Sequence, residues 1–140
     1  MKKIISCLIL TFVVVSCGKQ GCFISPKQTV FELVNTGGEN VIESGTLPFS
    51  DVIISEDAGN GSFRSMHYNL TNNNRISVEE LGWYNGTKKY RFFTPDTTFN
   101  LSVKSSKIDS SGCNSFRIDE VNFLNITGSK ENDFYKIIIK

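Results

Sequence analysis

Apolar and polar residues alternate with a period of two over much of the chain. Across residues 97–104, Thr97, Phe99, Leu101 and Val103 point one way, and Thr98, Asn100, Ser102 and Lys104 point the other. That is the pattern of a strand buried on one face. Residues 64–70 repeat it, with Met66, Tyr68 and Leu70 on one side and Ser65, His67 and Asn69 on the other. Residues 30–34, 52–55 and 76–81 are shorter candidates. Phe116 and Ile118 share a face, and Val121 and Phe123 continue one residue out of step. A β-bulge near Asp119-Glu120 reconciles the two phases. Residues 134–140 hold Ile137-Ile138-Ile139, a run suited to a closing strand covered on both faces. No window carries a sustained apolar stripe at helical spacing.

Turn formers separate these runs. Gly, Asn, Ser and Thr cluster at residues 35–38, 58–61, 71–74, 85–86, 110–112 and 128–129, supplying positive φ or short polar side chains. The reading is all-β: an antiparallel β-sandwich, immunoglobulin-like or transthyretin-like, of about seven to eight strands over residues 28–140. The order Cys22, Trp83, Cys113 superficially matches an antibody domain. However, Trp83 lies 61 residues after Cys22, where that family places its Trp shortly after the first Cys. A sandwich is expected, without true immunoglobulin identity.

The first residues read as an address. Met1-Lys2-Lys3 is a basic start, and residues 4–16 are thirteen mostly apolar positions. Thirteen helical residues rise about 20 Å, short of a hydrocarbon core of about 30 Å. A secretory signal fits better than a membrane span. Val14-Val15-Ser16-Cys17 resembles a bacterial lipobox. The resemblance implies a diacylglycerol thioether on Cys17, cleavage before it and acylation of the new amino group. The alternative is an ordinary signal peptide with a chance Cys near its end. By analogy with enteric bacteria, Gly18 in place of Asp favours the outer membrane; its periplasmic and outer faces both stay open. With its strand-and-turn texture, the chain resembles the small single-domain β-rich lipoproteins of Bacteroidota. Its expected parts are a signal peptide (1–16), a lipidated tether (17–27) and one domain (28–140).

Charge and cysteine count narrow the partners. The 140 residues carry 15 Lys and Arg against 14 Asp and Glu, and 39% are hydrophobic. Without Lys2 and Lys3, 13 basic residues face 14 acidic ones, so no electrostatic footprint for nucleic acid is present. Of four Cys, Cys7 leaves with the signal and Cys17 takes lipid. Cys22 and Cys113 are expected to pair in an oxidising compartment; two free thiols are the alternative. The bridge closes a loop of about ninety residues, with ~4–5 kcal/mol as the chain-entropy upper figure. It also places the domain within ~18 Å of the lipidated residue, the reach of five extended steps. Two Cys and one His do not make a zinc set, and no metal or cofactor is expected.

Catalytic signatures are missing from the pattern. His67 is the single His and faces outward on its strand. Glu79-Glu80 and Asp119-Glu120 are adjacent in strand contexts, so each pair points to opposite faces. The segment 56–61, Glu-Asp-Ala-Gly-Asn-Gly, lacks the spaced ligands of a calcium loop and reads as a turn with a solvated acidic edge. Residues 82–93 are the most suggestive. Asn85-Gly86 favours a type I′ hairpin, flanked by aromatics with cations on the returning strand. Trp83, Tyr84, Lys88, Tyr90 and Arg91 form the candidate binding patch, suited to stacking on a sugar or anchoring a protein. The alternative is that the aromatics pack in the core. Five Asn-x-Ser/Thr sequons, at Asn60, Asn69, Asn85, Asn100 and Asn125, reflect composition beside a bacterial signal. The expectation is a non-enzymatic, membrane-moored module with a protein, glycan or envelope partner. An inhibitor or accessory subunit of a hydrolase is the alternative.

Overall fold

The computed structural model describes residues 22–24, 27–110 and 112–140. The expected signal peptide, the lipobox-like residues ending at Cys17 and most of the expected tether lie outside the described residues. Eleven strands follow in chain order: β1 (Cys22–Ile24), β2 (Thr29–Val34), β3 (Ile53–Gly59), β4 (Ser62–Ser65), β5 (Tyr68–Leu70), β6 (Ile76–Val78), β7 (Gly86–Phe93), β8 (Thr98–Ser110), β9 (Cys113–Phe123), β10 (Thr127–Lys130) and β11 (Tyr135–Ile138). They form a six-stranded sheet, β1-β9-β8-β7-β3-β4, and a five-stranded sheet, β10-β11-β2-β6-β5. The protein is an all-β sandwich.

The two sheets meet on the residues that the alternation marks. Phe99, Leu101 and Val103 of β8 are fully buried, as are Phe31 and Leu33 of β2. Phe92 of β7 stacks on its register partner Phe99 at 5.0 Å between centroids. It also meets Phe31 of the opposite sheet edge-on at 5.1 Å. Each such aromatic pair adds ~0.5–1.5 kcal/mol beyond the area it buries, so this triple ties the layers together at their centre. The bulge is where the phase break puts it. Lys104 pairs with Glu120 and Ser105 with Ile118, leaving Asp119 as the extra residue. Cys22 and Cys113 are bonded, across a sequence separation of 91.

Several details differ from the sequence reading. Eleven strands replace seven or eight, because β1 and β10 are short and residues 64–70 divide into two strands. β4 lies in one sheet and β5 in the other, with buried Met66 between them. Two pairings are parallel, β1 with β9 and β11 with β2. A parallel pair needs a long crossover, and nearly the whole domain separates each of these partners. The expected hairpin at Asn85-Gly86 is absent: residues 79–85 instead carry the chain from β6 in one sheet to β7 in the other. Ile138 is 36% exposed while Ile137 is fully buried, so β11 alternates and is not covered on both faces.

Strand length shapes one end of the molecule. β8 has 13 residues and β9 has 11, against six for β2 and four for β11. At ~3.3 Å per residue, β8 runs ~43 Å and β2 ~20 Å. The β8–β9 hairpin therefore outruns the second sheet. β1 lies along the protruding part of β9, pairing Cys22, Phe23 and Ile24 with Cys113, Asn114 and Ser115. The disulfide binds the start of the domain to the hairpin tip.

Candidate functional site

A groove of about 320 Å³ opens beside this protruding hairpin. Phe116, Arg117 and Ile118 line it from β9, directly after the three residues that β1 covers. Residues 27–30 and the turn between β10 and β11 form the rest, with Phe134 and Tyr135 supplying aromatic surface. Lys27, Arg117 and Lys130 are its cations, and Asp133 is the one carboxylate among the lining residues. Lys27 Nζ contacts Asp133 Oδ1 at 2.6 Å, with both side chains 78% exposed. Its hydrogen bond and charge hold the Asp133 carboxyl below the usual carboxylate range. Arg117 Nε donates to Asp119 Oδ1 at 2.9 Å, while Lys130 has no ion pair among the described residues. Such exposed pairs contribute only ~0–1 kcal/mol, so Lys27 and Arg117 can exchange partners at little cost. The size lies at the small end of ligand pockets, and the apolar walls with a few polar groups match their usual make-up.

The five patch residues do not form one surface. Along β7, Lys88, Tyr90 and Phe92 face the space between the sheets, and Lys89, Arg91 and Phe93 face outward, as strand alternation requires. Tyr90 is 1% exposed, and burial pushes its phenol far above the usual range. Its hydroxyl lies by Tyr84 and the Gly82 backbone without meeting full hydrogen-bond geometry with either. The Tyr84 hydroxyl donates to the Val103 carbonyl at 2.8 Å, and Lys88 Nζ stands 4.7 Å from the Tyr84 ring centre. Trp83 packs on Phe23 of β1 at 5.4 Å, and Phe23 in turn lies 6.4 Å from Phe116 of the groove. Arg91 alone faces away, its guanidinium 3.8 Å from the Phe63 ring centre. Four of the five thus pack under or beside the crossover, and Trp83 connects them toward the groove.

The acidic segment also differs from its sequence reading. Glu56 is 7% exposed, not a solvated edge. Lys88 reaches its Oε1 at 2.7 Å and Arg64 its Oε2 at 2.9 Å. Burial raises the carboxyl pKa, but hydrogen bonds and charges from Lys88 and Arg64 outweigh it and hold Glu56 below its ordinary value of 4.5. A folded-state value below the unfolded one stabilises the protein above the unfolded value, and that contribution is lost as pH falls through the folded one. Breaking a fully buried pair costs ~3–5 kcal/mol because a charge is stranded. Here the Arg64 and Lys88 side chains are 57% and 36% exposed and can turn to water. Glu56→Gln should therefore cost ~1–2 kcal/mol at neutral pH, nearer the range of hydrogen bonds to charged groups. Denaturant unfolding at neutral and acidic pH checks this: the gap between wild type and variant should close on acidification, and parallel losses would exclude Glu56 as the titrating group.

Sequence reasoning missed the groove because residues 27–30, 108, 116–118 and 130–135 share no local motif. The Glu56 pair had a readable signal. Gly59, Asn60 and Gly61 all have positive φ, and a turn there sets Glu56 opposite Arg64. No group of three or more His, Cys, Asp or Glu among the described residues is placed to hold a metal ion. Compared with known proteins, the chain matches no family model, no curated protein and no solved structure.

Proposed function

We propose that this protein is a lipid-anchored, non-enzymatic binding module of the cell envelope, moored through Cys17 at the outer membrane, with the groove beside β9 as its binding site. The groove's composition carries the reading. Aromatic and aliphatic walls hold an apolar group, and Lys27, Arg117 and Lys130 hold an anionic one. The disulfide supports the exported compartment, since such bridges persist under oxidising conditions. The test is affinity purification from detergent-solubilised envelope at native expression, with protein, glycan and lipid in the eluate identified by mass spectrometry. One component should be enriched with wild type and lost with Phe134→Ala/Lys130→Glu. An eluate identical for both forms would contradict the reading.

A second reading, an inhibitor or accessory subunit of a hydrolase, is favoured by the outer face of the six-stranded sheet. Ile53, Phe63, Phe93 and Leu124 are 41–52% exposed there, with Arg91 lying over Phe63. Inhibition across a panel of envelope hydrolases, abolished by Phe63→Ala, would select this reading over the first.

A further inference from the structure

We infer that the groove's ligand is the acidic headgroup of phospholipid in the leaflet that anchors the chain, and that the hairpin end of the sandwich docks on that leaflet. The inference rests on the anchored reading above and names the ligand class for the same site. Three observations carry it. First, Cys17 precedes Cys22 by five residues, a reach of at most ~18 Å, and Cys22 is bonded to the hairpin at Cys113. The hairpin end is therefore the part of the domain held nearest the lipid.

Second, exposed apolar side chains gather at that end. Phe23 and Ile24 of β1 are 48% and 45% exposed, and Ile108 of β8 is 37% exposed. Register places Ile24 and Ile108 on either side of Ser115, on one face of the ribbon. Phe23 sits on the other face, against Trp83. Apolar groups on both faces of a protruding tip suit end-on contact with an interface. Third, the charge matches an anionic surface: the groove lining has three cations and one carboxylate. Each Lys or Arg near such a surface is worth about five-fold in partitioning, so the net of two positive charges left once Asp133 is set against the three cations is worth on the order of 30-fold.

The test uses lipidated protein purified from membranes, its lipid mass confirmed first, and reconstituted in vesicles of phosphatidylcholine alone or with phosphatidylglycerol. Amide hydrogen exchange is followed at β1 and residues 106–117, with the Thr94–Thr97 turn at the opposite end of β7 and β8 as control. Phosphatidylglycerol should slow exchange at β1 and the hairpin and leave the control turn unchanged. Lys27→Gln/Arg117→Gln/Lys130→Gln should abolish the slowing while the lipid mass is retained. Equal exchange in the two vesicle types overturns the inference alone, as does slowing that persists in the triple variant. Slowing produced by inorganic phosphate with phosphatidylcholine vesicles also overturns it, because a free anion then suffices. A chain recovered without lipid on Cys17 overturns the anchored reading, and the inference with it, before any vesicle is made.

Discussion

Replacing Cys22 and Cys113 together by alanine should lower the unfolding free energy by about 4 kcal/mol, within the ~2–5 kcal/mol typical of native bridges in small exported domains. The size follows from the sequence separation of 91, for which the loss of loop entropy in the unfolded chain approaches its largest values. A second effect is local. β1 is three residues long, lies at a sheet edge and is exposed throughout; its aromatic contacts are Phe23 against Trp83 and Phe116. Without the bridge, that strand should detach before the sandwich opens. Denaturant unfolding with and without reductant measures the first effect. Hydrogen exchange measures the second: protection at β1 should vanish, while β7 changes only by the global loss. An unchanged midpoint after verified reduction would show that the bridge does not constrain the unfolded chain.

Gly82→Ala should cost about 3 kcal/mol, from two sources. Gly82 has φ +86°, in the left-handed region where a Cβ adds ~1–2 kcal/mol. The same Cβ would stand 2.5 Å from Ile118 Cγ1 and 3.1 Å from Ser105 Oγ, and overpacking of this kind adds ~1–3 kcal/mol. Gly82 lies in the crossover between the sheets and lets its backbone approach β8 and β9. A double-mutant cycle separates the two sources. Ile118→Ala removes the colliding atoms, so the double variant should be less destabilised than the sum of the singles, with the backbone part remaining. Strict additivity would show that the contact with Ile118 is not the obstacle.

The sequence pattern reports burial more faithfully than pairing. Alternation at Phe99, Leu101 and Val103 gave β8 its inner face, and the phase break between Ile118 and Val121 placed the bulge at Asp119. Each depends on a side chain's own exposure, which composition encodes directly. Residues 64–70 alternate just as well, yet they divide between sheets. In a sandwich both sheets enclose one core, so a chain can change sheets while its inward residues keep pointing inward. Asn85-Gly86 failed for a related reason. Its turn propensity is local, but whether the flanking segments pair is decided by partners distant in sequence, and here Gly86 opens β7 against Ser105 of β8. The burial of Glu56 was hidden because its second cation, Lys88, lies 32 residues away. The groove was hidden entirely, since it exists only where a long hairpin overhangs a shorter sheet.

Both the proposed binding role and the docking of the hairpin end depend on the proposed mooring at Cys17, and the most direct measurement is the intact mass and N-terminal peptide of the mature protein extracted from membranes. A lipid-anchored protein should yield a chain that begins at Cys17 and carries the added mass of a diacylglycerol thioether and an acylated amino group. A chain recovered from the cytosol with Met1 in place and no added lipid would contradict the mooring.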